Sequence, residues 1–117
     1  MAHGSHTKQA LLRIYNMSND TLDLSWLNIK TVPPIPSTVK HLNCSYTNLE
    51  KLPPLPENLI SLDCSYTKIR ALPELPSTLS SLTCTKCKNL ALQMDHNETI
   101  TDYEKRWVIW RGSNNTL

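Results

Sequence analysis

The stretch Leu42-Asn-Cys-Ser-Tyr-Thr47 decides the fold, because close copies of it recur at a fixed interval of twenty residues. The copies begin at Leu22, Leu62 and Leu82. A second phrase runs between them, and all eight prolines fall in its copies Val32-Pro-Pro-Ile-Pro36, Leu52-Pro-Pro-Leu-Pro56 and Leu72-Pro-Glu-Leu-Pro76. A period this short and regular predicts a solenoid of stacked repeats.

Within each repeat the apolar residues follow the pattern Leu-x-Leu-x-x-x-x-Leu, which predicts a thin, continuous core. The predicted core positions are Leu22, Leu24, Ile29, Leu42, Cys44, Leu49, Leu62, Cys64, Ile69, Leu82, Cys84 and Leu90. The pattern resembles the leucine-rich repeat consensus, whose Asn/Cys position is taken here by Thr47, Thr67 and Cys87. Proline fixes φ and donates no hydrogen bond, so the segments between strands should run extended. We therefore predict an α/β solenoid of about four coils, with short parallel concave strands and extended Pro-rich convex segments.

The Leu-Pro-x-Leu-Pro-x-x-Leu connection resembles the twenty-residue leucine-rich repeats of bacterial type III secretion effectors, over residues 22–90. Large effectors of this kind carry a separate ubiquitin-ligase domain with a catalytic cysteine, and nothing in this sequence matches that domain. The Cys-Ser-x-Thr strands also resemble open reading frames of amoeba-infecting giant DNA viruses such as the marseilleviruses. These resemblances imply interference with host signalling or immunity by occupying a host protein.

The N-terminal segment, residues 1–18, is expected to cover the open face of the first coil. Leu12 and Ile14, with the turn-like Ser18-Asn19-Asp20, favour a hairpin, and the spacing of Ala10, Leu11, Ile14 and Tyr15 fits a short helix nearly as well. Residues 1–6 (Met-Ala-His-Gly-Ser-His) could derive from cloning and are left out of the fold argument. Residues 19–90 then form the repeats.

Residues 91–112 are predicted to form the other cap. Thr101-Asp-Tyr-Glu104 has the form of a capping box that opens a helix, and Gly112 would close it before a flexible tail, residues 113–117. Ile100, Tyr103, Trp107 and Trp110 fall on one helical face. The two tryptophans could bind a partner, but we favour their covering the last coil.

Composition argues against several classes of function. The net charge is +2 with both signs interspersed, so nucleic-acid binding is not expected. There is no apolar stretch long enough to cross a membrane and no signal peptide, which predicts a cytoplasmic protein, in the host cell if it is viral.

Cys44, Cys64 and Cys84 share one repeat position and should form a ladder of reduced, buried thiols. Cys84-Thr-Lys-Cys87 has the spacing of metal ligands, but no second pair accompanies it, so no metal or other cofactor is expected.

Strand positions that alternate with the buried leucines should face the concave surface. They form three rows: an acidic and amide row from Asp23 to Thr83, a hydroxyl row from Ser25 to Thr85, and an aromatic row that ends at Lys86. The predicted partner-binding residues are Trp26, His41, Tyr46, Asp63, Tyr66 and Lys86. Aromatic rings beside polar rows are typical of surfaces that recognise a protein or peptide.

Catalysis is not expected. Ser45, His41 and Asp63 could be combined as a triad, but serine recurs at the same position in other copies and no glycine near them could form an oxyanion turn. The predicted function is a non-catalytic protein-interaction module. The alternative is a structural protein that self-associates, as a weak homodimer, through the solenoid ends or the helix bearing Trp107 and Trp110.

Overall fold

Four short parallel strands and two terminal helices make up the protein. The computed structural model describes residues 2–17 and 19–114. The elements are α1 (Ala2–Tyr15), β1 (Thr21–Asp23), β2 (His41–Asn43), β3 (Ser61–Asp63), β4 (Ser81–Thr83) and α2 (Ile100–Asn114). The strands form one sheet in the order of the chain. This arrangement confirms the prediction of an α/β fold with short parallel strands.

The strand register follows the sequence period. Leu22 pairs with Leu42, Leu42 with Leu62 and Leu62 with Leu82, so each strand is shifted by twenty residues from its neighbour. Residues at equivalent positions of the repeat therefore lie side by side, on strands about 4.8 Å apart. Every row of residues named below follows from this register.

The Pro-rich segments return the chain to the next strand without helix or strand of their own in the described residues. Each closes in a tight turn: the amide of Val39 donates to the Pro36 carbonyl at 3.1 Å, and Leu59 and Leu79 repeat the bond with Pro56 and Pro76 at 3.1 and 3.0 Å. A proline carbonyl can accept such a bond although its nitrogen cannot donate one. The turns deliver the chain to the start of each strand.

The core lies along the stack of strands, as the leucine pattern predicts. All the predicted core positions are buried except Leu82 and Cys84, which are partly buried at the last strand. Thr47 and Thr67 are buried too, and their hydroxyls donate to the carbonyls of Cys44 and Cys64 at 2.9 and 2.8 Å. The small polar residue at this position therefore satisfies a buried carbonyl three residues before it.

The favoured N-terminal hairpin is wrong, because residues 2–15 form the helix α1. Ala10 is fully buried against the core and Ile14 packs on it, four residues apart on one helical face. The Arg13 guanidinium donates to the Asp23 carbonyl at 2.8 Å and ties the helix to the end of β1. The helix includes residues 2–6, which the sequence argument left out; Ser18, in the predicted turn, lies outside the described residues.

The C-terminal helix packs as predicted but has different ends. Tyr103 and Trp107 are fully buried, so this face covers the core rather than solvent. The capping residue is Thr99 rather than Thr101, since the Thr99 hydroxyl accepts the amide of Asp102 at 3.1 Å. Helix α2 continues through Gly112 to Asn114. The predicted tail therefore starts two residues too early, and residues 115–117 lie outside the described residues.

Candidate functional site

The candidate site is built on the turn that follows each strand. The Asp63 carboxylate accepts the amide of Ser65 at 3.0 Å, and the Asn43 side chain accepts that of Ser45 at 3.0 Å. Such a bond from a side chain to the backbone two residues later ends the strand and starts a turn. In β1, the carboxyl of Asp23 accepts the hydroxyl of Ser25, which holds the pKa of that carboxyl below its usual value.

The two middle residues of the hydroxyl row do not face outward, whereas Ser25 is half-buried and Thr85 is exposed. Ser45 and Ser65 are buried, because the strands end after three residues and the chain turns before the serine position. The Ser45 hydroxyl donates to the Asn43 side chain at 2.7 Å, while His41 Nδ1 lies 2.7 Å from the Ser61 hydroxyl. The residues of the hypothetical triad are thus each hydrogen-bonded to other partners.

The next residue of each turn has a left-handed backbone. The φ angles are 67° at Trp26, 57° at Tyr46 and at Tyr66, and 59° at Lys86. This conformation is uncommon for bulky residues and costs on the order of 1–2 kcal/mol. It turns the aromatic side chain out and lets the following residue enter the core. The turn is held by hydrogen bonds between units, such as the Tyr46 amide to the Ser65 carbonyl at 3.0 Å.

Three rings then stack into an exposed column, which we call the aromatic column (Trp26, Tyr46 and Tyr66). The ring centroids of Trp26 and Tyr46 are 4.1 Å apart, with planes at 6°. Those of Tyr46 and Tyr66 are 4.5 Å apart, with planes at 9°. Trp26 is 73% exposed and each tyrosine 43%. The predicted aromatic row is therefore one continuous surface, although it lies beyond the strands rather than on them.

The other three predicted binding residues take different places. Lys86 occupies the position after Tyr66 in the same row, with the same left-handed backbone. His41 begins β2 and Asp63 ends β3, both partly buried and hydrogen-bonded to Ser61 and Ser65 respectively. Lys86 thus extends the aromatic column, whereas His41 and Asp63 make their side-chain hydrogen bonds within the strand face.

Beside the column lies a group of cations, which we call the cationic end (Lys68, Arg70, Lys86 and Lys88). Sequence reasoning singled out Lys86 and missed the other three. All four residues are exposed. Lys68 and Lys88 occupy the repeat position that Asn28 and Asn48 hold in the earlier units. The Asn48 side chain donates to Asn28 at 2.8 Å, so side chains at this position are neighbours from one unit to the next. Among the described residues no ion pair within 4.0 Å involves any of the four. The repeat alignment already contained this row.

The thiols are packed close together behind the site. Cys64 and Cys84 sulfurs are 3.4 Å apart, and Cys87 donates to the Cys64 carbonyl at 3.0 Å. All four cysteines are free. Burial raises the pKa of Cys44, whereas the hydrogen bond from Cys64 lowers the pKa of Cys87 to about 6. In the part of the chain that the structure describes, no group of three or more His, Cys, Asp or Glu side chains is arranged to hold a metal ion.

No protein-family model matches the chain, and no curated protein gives a significant match to it. Neither helix, over the residues described, has the length and apolar character needed to cross a membrane.

Proposed function

We propose that the protein is a leucine-rich repeat solenoid that binds a protein or peptide partner through the aromatic column. The observation that carries the proposal is the column itself: three rings held in one exposed stack on three left-handed turns. His41, Asp63 and Lys86 belong to the same proposed surface. The sequence resemblance supports a role inside a host cell, where the module would occupy a host protein in the cytoplasm.

The physical case rests on cost and preorganisation. Large aromatic groups left in water are unfavourable, and each of these also carries the cost of a left-handed backbone. Stacking fixes the rings before any partner arrives, so binding loses little side-chain entropy. Tyrosine and tryptophan are the residues that contribute most to protein interfaces for this reason.

The surface is small, which sets the expected affinity. Four rows at about 4.8 Å spacing span about 14 Å, which is shorter than a standard protein interface. We therefore expect a modest, reversible contact with a short segment of the partner.

The test is affinity capture from host-cell lysate with three forms of the protein. The first is the wild type and the second replaces the column (Trp26→Ala, Tyr46→Ala, Tyr66→Ala). The third is a matched control that removes exposed apolar side chains elsewhere (Tyr15→Ala, Val108→Ala, Ile109→Ala). Circular dichroism first establishes that all three fold. We expect the wild type and control to enrich a protein that the column variant loses; equal capture by all three would refute the proposal.

Self-association is the second candidate, favoured by apolar side chains exposed on both terminal helices. Leu11, Leu12 and Tyr15 are exposed on α1, and Val108 and Ile109 on α2. Trp107 is fully buried, so the contact would use Val108 and Ile109 rather than the tryptophan face. Sedimentation velocity over a range of concentrations tests it. A mass that rises with concentration in the wild type but not in the control variant would favour this function.

A further inference from the structure

The aromatic column and the cationic end lie on one continuous set of rows. Lys86 follows Tyr66 in the aromatic row, and its backbone has the same left-handed conformation. Two residues further along each turn come Lys68 and Lys88, and Arg70 follows Lys68 by two more. The rows are parallel because the strands pair with a shift of twenty residues.

The charge along these rows is strongly uneven. In the first two units the same positions hold Asn28, Lys30, Asn48 and Glu50, whose charges cancel. In the last two units they hold Lys68, Arg70, Lys88 and the apolar Leu90, and Lys86 takes the place of the aromatic ring in the last unit. Within these rows the carboxylate is Glu50, at the position before Arg70, and it forms no ion pair within 4.0 Å with a described residue. The Asp63 carboxylate lies in the neighbouring strand row, where it accepts the amide of Ser65.

The aromatic column adds to this positive character. Stacked rings turn their edges to solvent, and the edge of an aromatic ring carries the positive part of its quadrupole. The hydroxyls of the half-exposed Tyr46 and Tyr66 can donate hydrogen bonds. The band thus offers ring edges, hydroxyl donors and four cations, all of which favour carboxylates.

We propose that the aromatic column and the cationic end together bind an extended acidic segment of a partner protein. This inference rests on the proposed function and adds the chemistry of the partner. The four rows span about 14 Å, which is the length of four to five extended residues. Glutamate or aspartate side chains would meet the lysines and the Tyr hydroxyls, with the partner's aliphatic stems against the ring edges.

Single-stranded nucleic acid is the competing anion, and the ring geometry disfavours it. Bases bind such surfaces by stacking on the face of an exposed ring. At 4.1 and 4.5 Å the rings of the column already occupy one another's faces, so no base can enter between them. An acidic peptide needs only the edges.

The test measures fluorescence anisotropy of a fluorescein-labelled octapeptide of glutamate, with the full chain in about 50 mM salt. The charge variant is Lys68→Gln with Lys88→Gln. The matched control removes two exposed lysines elsewhere, Lys8→Gln with Lys40→Gln, and so has the same net charge. We expect the charge variant to bind about fivefold more weakly than the wild type, at roughly half a kcal/mol for each exposed pair lost, and the control to bind nearly as well. Binding of the wild type should weaken as salt is raised, because exposed charges are screened.

Several outcomes would overturn the inference. They are absence of peptide binding, equal loss in the control, and tighter binding of a labelled thymidine oligonucleotide of equal length. The column variant of the preceding section separates the two proposals. If it retains the peptide while the charge variant loses it, acid recognition stands and the aromatic column fails as the working site. If it loses host-protein capture while no form binds the peptide, the proposed function stands and the acidic partner is refuted.

Discussion

At Tyr46 a glycine variant should be more stable than an alanine variant, whereas at most positions alanine is the more stable of the two. Tyr46 is the middle ring of the column and has a φ of 57°. Either substitution removes two ring stacks, each contributing about 0.5–1.5 kcal/mol. We therefore expect both variants to lose on the order of 2 kcal/mol of unfolding free energy.

The difference between the variants reports on the backbone. An alanine at position 46 still has the cost of about 1–2 kcal/mol for a left-handed backbone conformation, and a glycine does not. Glycine gains unfolded-state entropy that opposes folding by roughly 0.5–1 kcal/mol. Tyr46→Gly should therefore be more stable than Tyr46→Ala, by about 0.5–1 kcal/mol.

Urea denaturation followed by circular dichroism measures both values. Glu50 is the matched control, since it is exposed in the same unit and its φ is not positive. At this control position the Glu50→Ala variant should be more stable than Glu50→Gly by about 0.5–1 kcal/mol. If alanine is also the more stable residue at position 46, the left-handed turn is not imposed by the fold and the reasoning on strain fails.

Three further predictions concern the core, the thiols and the second cap. Thr47→Val should destabilise by about 1–3 kcal/mol in urea, because it leaves the buried Cys44 carbonyl without its 2.9 Å donor; Ser77→Ala, at an exposed site, should cost under about 0.5 kcal/mol. In the native state iodoacetamide should modify Cys84 first, since Cys44, Cys64 and Cys87 are buried and the low pKa of Cys87 does not help a thiol that the reagent cannot reach; mass mapping that finds any of these three first would contradict this. The Arg106 guanidinium lowers the pKa of Glu98 to about 2, so its contribution is complete above the ordinary pKa near 4.5 and is lost as pH falls toward 2. Between pH 4.5 and 2 the thermal midpoint of the Glu98→Gln variant should therefore fall less than that of the wild type. An equal fall in both proteins would refute this prediction.

The sheet could be predicted because the spacing of the leucines determines how the strands pair. A period of twenty residues with apolar pairs around Leu42 and Leu62 favours one register in which the strand leucines face the same core, and the structure has that register. The helix α1 was only the second choice, because Ala10 and Ile14 fit either a strand or a helix over so short a stretch. The start of α2 was placed at Thr101 because two threonines lie two residues apart, and only the bond to Asp102 distinguishes Thr99 as the cap.

The error at the serine row has a different origin. The alternation of the strand was extended beyond Asp63, whereas a side-chain bond from Asp63 to the Ser65 amide stops the strand there. Local bonds of aspartate and asparagine compete with strand formation in this way. Read as a turn signal, the recurring Asp/Asn-x-Ser would have placed Ser65 inside and kept only Tyr66 outside.

What distinguishes the candidate site from the rest of the repeat is where the units differ. Buried positions are nearly alike in every unit, because each must fill the same space beside its neighbours. The exposed row from Asn28 to Lys88 is free of that constraint, and it changes from amides to ammonium groups along the stack. The aromatic row changes in the same direction, from Trp26 to Lys86. Copying of one unit produces identical rows, so copying alone does not account for this gradient. Two neighbouring rows that turn positive at the same end give the surface a direction, and an acidic segment would bind along it in one orientation.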